Sequence, residues 1–142
     1  MNGQLDIVLR LAFDKIDKPY IWGGDDGIAG WDCSGLVIEL LQSVGLLPHN
    51  FDTTALGLYK YFIGKFTNIP SAGCLAFWGK SVDKIIHTEL CFNHYLTIGA
   101  SGGGSKTLTK EDAIKHNAYV KMRPLYDNAR RTNPVALVNP FI

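Results

Sequence analysis

Apolar positions recur along this chain at two different periods, and the change of period divides it. In the first part they fall three and four residues apart, which marks one face of an α-helix. Leu5, Val8, Leu9, Ala12 and Ile16 make the first such stripe, closed by Asp17-Lys18-Pro19. Cys33, Leu36, Val37, Leu40, Leu41 and Val44 make the second. Asp32 is a good N-cap for that helix, because its carboxylate can accept from the backbone N–H of Ser34 or Gly35. Gly45 and Pro48 supply its stop. Asp52 and Thr53 predict the cap of a third helix, with Tyr59, Phe62, Ile63 and Phe66 as its stripe.

Further along, the period falls to two and predicts strands near 74–78, 85–92 and 95–100, and another at 118–123 ending at Pro124. Thr109-Lys110-Glu111-Asp112 is similar to a capping box with Asp in place of Glu, and predicts a short helix to about His116. After the polar turn Asn128-Ala129-Arg130-Arg131 the apolar terminus is assigned no element. Helices first and strands second predict an α+β fold, with an N-terminal helical part and an antiparallel sheet packed on the helix that begins at Cys33. At 142 residues a single domain over 1–142 is expected, without repeats or linkers.

Composition narrows the classes. A formal net charge of +1 gives no electrostatic case for nucleic acid. Apolar content is 46%, with no apolar run near the ~18 residues a membrane span needs. Met1-Asn2-Gly3-Gln4-Leu5-Asp6 lacks the basic and apolar regions of a signal peptide, so synthesis in the cytoplasm is expected, with action elsewhere left open. Three cysteines are too few and too odd for a disulfide scaffold.

One of the three has a setting unlike the others. A cysteine is a strong nucleophile as a thiolate, and a helix N-terminus is one of the few places where backbone alone favours that form. Cys33 is placed there as the first helical residue after Asp32. Gly23, Gly24, Gly27, Gly30 and Gly35 crowd around it, which suits close approach by a ligand or a tight turn. The unpaired N–H groups of that first turn are candidates for an oxyanion hole. Cys74, in the apolar run Cys74-Leu75-Ala76-Phe77-Trp78, and Cys91, in an alternating strand, fit the ordinary role of buried core thiols.

A thiol nucleophile needs a base. His49 lies in a Leu-Pro-His-Asn turn, His94 in a hairpin turn, and His116 near the end of a short helix. His87 lies in a strand pattern, where His87, Glu89 and Cys91 share one face while Ile86, Thr88, Leu90 and Phe92 share the other. Side chains two apart on a strand stand about 7 Å apart. A glutamate can span much of that gap and fix the tautomer of the imidazole. The alternative for Glu89 is a solvent-facing carboxylate on a half-exposed strand.

Pro19-Tyr20-Ile21-Trp22-Gly23-Gly24 followed by Asp32-Cys33-Ser34-Gly35 resembles the signature of the NlpC-type, papain-like cysteine peptidases of bacterial cell wall. Pro70-Ser71-Ala72-Gly73-Cys74-Leu75-Ala76-Phe77-Trp78 is similar to the run that precedes the catalytic histidine strand in that family, and His87 falls where its histidine is expected. The resemblance spans roughly residues 5 to 123. It implies a papain-like α+β fold with Cys33 as nucleophile, His87 as base and Tyr20 near the oxyanion. It implies substrate-binding roles for Asp32, Ser34 and Trp22, with Asp32 holding a substrate amino group. The implied reaction is hydrolysis of an amide bond in peptidoglycan stem peptides, between γ-D-glutamate and a diamino acid, without cofactor or metal. The Ser-Gly-Gly-Gly run at 101–104 is similar to versions carried in bacteriophage tail modules, which would make phage tail proteins partners and the virion the site of action.

Two positions depart from the family pattern. The third polar residue, often His, sits on the strand after the histidine strand, and the matching position here is Gly99. The residue two past the histidine is usually small, and here it is Glu89. Together they suggest that Glu89 takes over the orienting role. The competing readings are a catalytically impaired tail or adaptor domain, and a thiol acyltransferase or amidase on another substrate. Gly102-Gly103-Gly104-Ser105-Lys106-Thr107 fails as a phosphate loop because a serine separates glycine from lysine. His87 and Cys91 would stand roughly 13 Å apart on one strand, too far to share a zinc at about 2 Å from each.

Overall fold

A computed structural model describes residues 3–19, 25–26, 30–101, 110–115, 118–127 and 131–142. The first apolar stripe forms helix α1, Gly3–Asp14, with Val8 and Ala12 fully buried. Its predicted last member, Ile16, lies in the turn beyond, where Asp17 takes a positive φ of 74°. Two short strands, β1 (Asp25–Asp26) and β2 (Gly30–Trp31), pair antiparallel within the glycine-rich stretch. Helix α2 is Cys33–Ser43. Its N-cap is Asp32, whose Oδ1 accepts from the Gly35 N–H at 2.6 Å. Its apolar side, Leu36, Val37, Leu40 and Leu41, is almost wholly buried. Gly45 follows with a φ of +78°, the left-handed conformation that a helix stop requires.

Helix α3 departs from the sequence reading. It spans Ala55–Tyr61 and is capped by Thr54, not by Asp52 or Thr53, with the Thr54 hydroxyl accepting from the Gly57 N–H. The chain then tightens into a 3-10 turn at Ile63–Lys65. That change of pitch takes Ile63 and Phe66 off the buried stripe and leaves both more than half exposed, while Leu58, Tyr59 and Phe62 stay buried.

Five strands make one antiparallel sheet in the order β6-β5-β4-β3-β7. They are β3 (Leu75–Gly79), β4 (Ile85–Cys91), β5 (Leu96–Ser101), β6 (Tyr119–Pro124) and β7 (Ala136–Val138), with helix α4 (Lys110–Lys115) between β5 and β6. The last strand corrects the unassigned C-terminus: Ala136, Leu137 and Val138 pair with Phe77, Ala76 and Leu75. Three residues are too short a run for a period to show, so pairing with β3 defines this strand.

The sheet has two different faces. Leu75, Phe77, Leu90, Ile98, Ala100, Val120 and Val138 join α2, α3 and α1 in the main core. The alternate residues Cys74, Ala76, Trp78 and Cys91 form a smaller cluster with Leu125 and Leu137. This is an α+β fold of the expected kind, helices first and an antiparallel sheet packed on α2.

Candidate active site

Cys33 heads α2 and is partly exposed, while Cys74 and Cys91 are fully buried. Burial, with the neighbouring Cys74 and Glu89 charges, pushes the Cys91 thiol up to about 12, so it stays a neutral core group. Ser34 is buried behind Cys33, and its hydroxyl lies 3.4 Å from Asp32 Oδ1. The cap therefore occupies one carboxylate oxygen of Asp32 and fixes the first turn around the sulfur.

His87 sits opposite Trp78 in the β3–β4 register, and Glu89 opposite Ala76. Both belong to the face of the smaller cluster, not to the face that covers the body of α2. Cys33, as the terminal residue of its helix, nevertheless comes close enough to the imidazole to bear on its charge. The rings of His87 and Trp78 lie 5.6 Å apart, and His87 keeps 22% of its side chain exposed. His49 and His94 are exposed.

Glu89 has no exposed surface. Its Oε2 lies 2.6 Å from His87 Nε2. A carboxylate accepts only, so Nε2 carries a proton toward Glu89 and Nδ1 is left to face the sulfur. Thr97 donates its hydroxyl to Oε1 at 2.5 Å. Arg131 Nη1 donates to Oε1 at 3.0 Å, and Arg123 Nη2 donates to Oε2. Burial alone would raise the Glu89 carboxyl, but His87 and the two guanidiniums outweigh it and hold the group well below the usual carboxylate range. Burial likewise pushes His87 down, yet its hydrogen bonds to Cys33 and Glu89 and their charges lift it to about 9. At neutral pH the ring is an imidazolium beside the sulfur.

Gly99 explains how a buried glutamate fits. A Cβ at Gly99 would stand 2.2 Å from Glu89 Cγ and 2.8 Å from its Cδ. The bare backbone on β5 is the space that the glutamate on β4 occupies. The two departures from the family pattern are one exchange of volume between neighbouring strands.

Of the predicted residues, Cys33, His87 and Glu89 come together, with Asp32 and Ser34 in the turn that holds Cys33. Tyr20 and Trp22 lie outside the described residues, as do Gly102–Gly104 and the capping Thr109. The sequence reading missed Thr97, Arg123, Arg131 and Trp78. Thr97 and Arg123 are legible as members of strands, but nothing in one sequence pairs them with Glu89, and Arg131 reads as part of a polar turn. Among the described residues, no three His, Cys, Asp or Glu side chains cluster to hold a metal ion. No described helix is long and apolar enough to cross a membrane.

The architecture is that of a papain-like α+β domain with a cysteine at a helix start and a histidine on the sheet. The chain has the fold of NlpC/p60 domains. It is similar over 98% of its length to the NlpC/p60 domain of the peptidoglycan hydrolase SagA, covering 99% of that chain at a TM-score of 0.67 and 22% identity. The peptidoglycan hydrolase RipB from Mycobacterium tuberculosis aligns with 98% of this chain and 65% of its own, at a TM-score of 0.67 and 21% identity. The P60 domain of antigen MAP1204 from M. avium subspecies paratuberculosis aligns at a TM-score of 0.65 and 20% identity, over 98% of this chain and 96% of that one. In sequence, 57 residues are 39% identical to proteins named "Probable endopeptidase" in Mycobacterium bovis and M. tuberculosis. That stretch is 39% of this chain and 14% of those proteins. No family model matches the chain. None of these names concerns a bacteriophage tail.

Proposed function

We propose that this chain is a thiol peptidase or amidase that hydrolyses an amide bond in peptidoglycan stem peptides. The observation that carries it is the relay from Cys33 at the head of α2, through the His87 ring, to Glu89 at 2.6 Å from Nε2. In this reading the Cys33 sulfur attacks the amide carbonyl carbon. Backbone N–H groups of the first turn of α2, with Tyr20, take the developing oxyanion. The imidazolium gives its proton to the leaving amine as the carbon–nitrogen bond breaks, leaving a thioester. Water, with His87 as base, then breaks the thioester, releasing a carboxylate and returning Cys33. Glu89 holds the tautomer and stabilises the imidazolium without becoming protonated.

The peptidoglycan substrate rests on likeness to the hydrolases above. The finer assignment, the bond between γ-D-glutamate and a diamino acid with Asp32 on a substrate amino group, rests on the Asp32-Cys33-Ser34-Gly35 signature. Gly99, the best reason to suspect an impaired domain, is accounted for by the Glu89 side chain that fills its place. The experiment is release of new amines from purified peptidoglycan and its stem peptides, with casein as control. A thiol-reactive substrate mimic should label Cys33 alone. Digestion of casein without effect on wall material would make the chain a general peptidase. No turnover and no labelling would make it an adaptor.

A further inference from the structure

Glu89 is held by more positive charge than one imidazole supplies. His87 and Arg123 both donate to Oε2, and Arg131 and Thr97 both donate to Oε1. Arg131 is itself fixed from other directions. Its Nη2 donates to Thr97 Oγ1 at 3.2 Å and to the Pro124 carbonyl at 2.5 Å. Its guanidinium stacks 4.3 Å over the Trp78 ring, and Trp78 Nε1 donates to the Thr132 carbonyl at 2.9 Å. Arg123 comes from the edge strand β6 and Arg131 from the segment after it, 34 and 42 residues from Glu89. The Nε atoms of both arginines are buried without a hydrogen-bond partner among the described residues. An unpartnered buried donor is destabilising, so the pair is poorly explained as a device for stability alone.

Among the described residues, the groups facing His87 are Cys33 from α2, Trp78 from β3 and Glu89 from its own strand, with Arg123 and Arg131 acting from behind Glu89. Cys91, beside Glu89, is neutral. A buried carboxylate facing an imidazolium alone would hold its proton and oppose transfer to a leaving amine. Guanidiniums do not lose their charge at any working pH. Resting on the relay described above, we propose that Arg123 and Arg131 are positioning residues. Acting through Glu89, they pin its carboxylate against His87 and offset its charge, so that the ring is oriented yet can return its proton.

The test uses Arg131→Met, Arg131→Lys and Arg123→Met in the full chain. Two readouts are taken: kcat and KM on a stem peptide across pH, and NMR titration of the His87 imidazole without substrate. Arg131→Met should lower kcat by about tenfold or more with KM within about threefold, because the loss falls on proton transfer. Both the imidazole midpoint and the alkaline limb should move up by about half a unit or more, since a nearby positive charge has been removed. Arg131→Lys should bring both back toward wild type. A fall in kcat with an unmoved midpoint would reduce Arg131 to a structural role and overturn the proposal. So would an unchanged kcat or a midpoint that moves down. If Arg131→Met does not fold, Arg123→Met, whose side chain is 31% exposed, is read the same way; failure of both to fold also overturns the proposal. If the wild type turns over no wall peptide, the peptidase reading fails by itself, and the imidazole titration still decides the role of the arginines.

Discussion

The two faces of the sheet solve opposite problems. The face toward α2 is apolar but for the buried Thr88 hydroxyl, which donates to the Ala76 carbonyl, and Leu75, Phe77, Leu90 and Ile98 have 1% exposure or less. The other face buries a carboxylate and packs two partly buried guanidiniums and a partly buried imidazole around it, beside Cys74, Ala76, Cys91 and Leu137. The first is held by apolar area removed from water, a force without direction. The second is tolerable only because each charge meets another at close range, since an unpaired buried charge costs several kcal/mol. Damage on the first face should therefore be graded and confined to stability. Damage on the second should be abrupt and should reach the chemistry.

The largest effect expected is at the thiol. Cys33→Ala should lower turnover of wall peptides by about 10³-fold or more while the circular dichroism and melting temperature stay near wild type. Cys74→Ala and Cys91→Ala should lower the melting temperature and keep kcat. Full activity in a folded Cys33→Ala protein would remove the assignment and the comparison with it.

Glu89→Gln comes next. An amide still accepts a hydrogen bond but no longer stabilises the imidazolium, so kcat should fall on the order of 10²-fold. Leaving two partly buried guanidiniums without their anion should also lower stability, measured by denaturant unfolding. An unchanged kcat would reduce the machinery to Cys33 and His87.

Gly99→Ala tests whether the two strands share one volume. The new methyl would meet the Glu89 side chain at 2.2 Å, and that side chain is pinned by four donors, so a cost of about 2–3 kcal/mol is expected. In a Glu89→Ala background the same change should cost at least about 1 kcal/mol less. Simple additivity of the two would show that Gly99 answers to something other than Glu89. By contrast Leu90→Ala, on the opposite face, should cost about 2–5 kcal/mol with kcat per folded molecule unchanged.

The smallest effect is in pH. The Glu89 carboxyl is held below its ordinary 4.5, so its contribution to stability is present above that value and is lost as pH falls beneath it. His87 is raised from 6.5 to about 9, so its contribution is full below 6.5 and is lost as pH rises through about 9. The melting temperature should thus be highest between about pH 4.5 and 6.5 as far as this pair decides it. Glu89→Gln should flatten the acid side of that profile. An acid side as steep as in wild type would place the responsible carboxylate elsewhere.

The sequence by itself determined the parts whose cause is local. The stripe Leu36, Val37, Leu40, Leu41 announces α2, Asp32 caps it through the Gly35 N–H, and Gly45 ends it in the left-handed conformation. Each of these depends on residues a few positions apart, so one chain read in order contains them. The alternation around His87 placed Glu89 on its face for the same reason. The cap of α3 lies a residue or two beyond where the sequence points, because Asp52, Thr53 and Thr54 all suit a cap and the turn that follows decides which is used. Only the tertiary structure decided that Thr97, Arg123 and Arg131 converge on Glu89, that β7 pairs with β3, and that Gly99 is bare to make room. Those contacts join strands and segments as far apart along the chain as Leu75 and Val138, and they are selected by shape and charge in three dimensions, for which no spacing along the chain is a record.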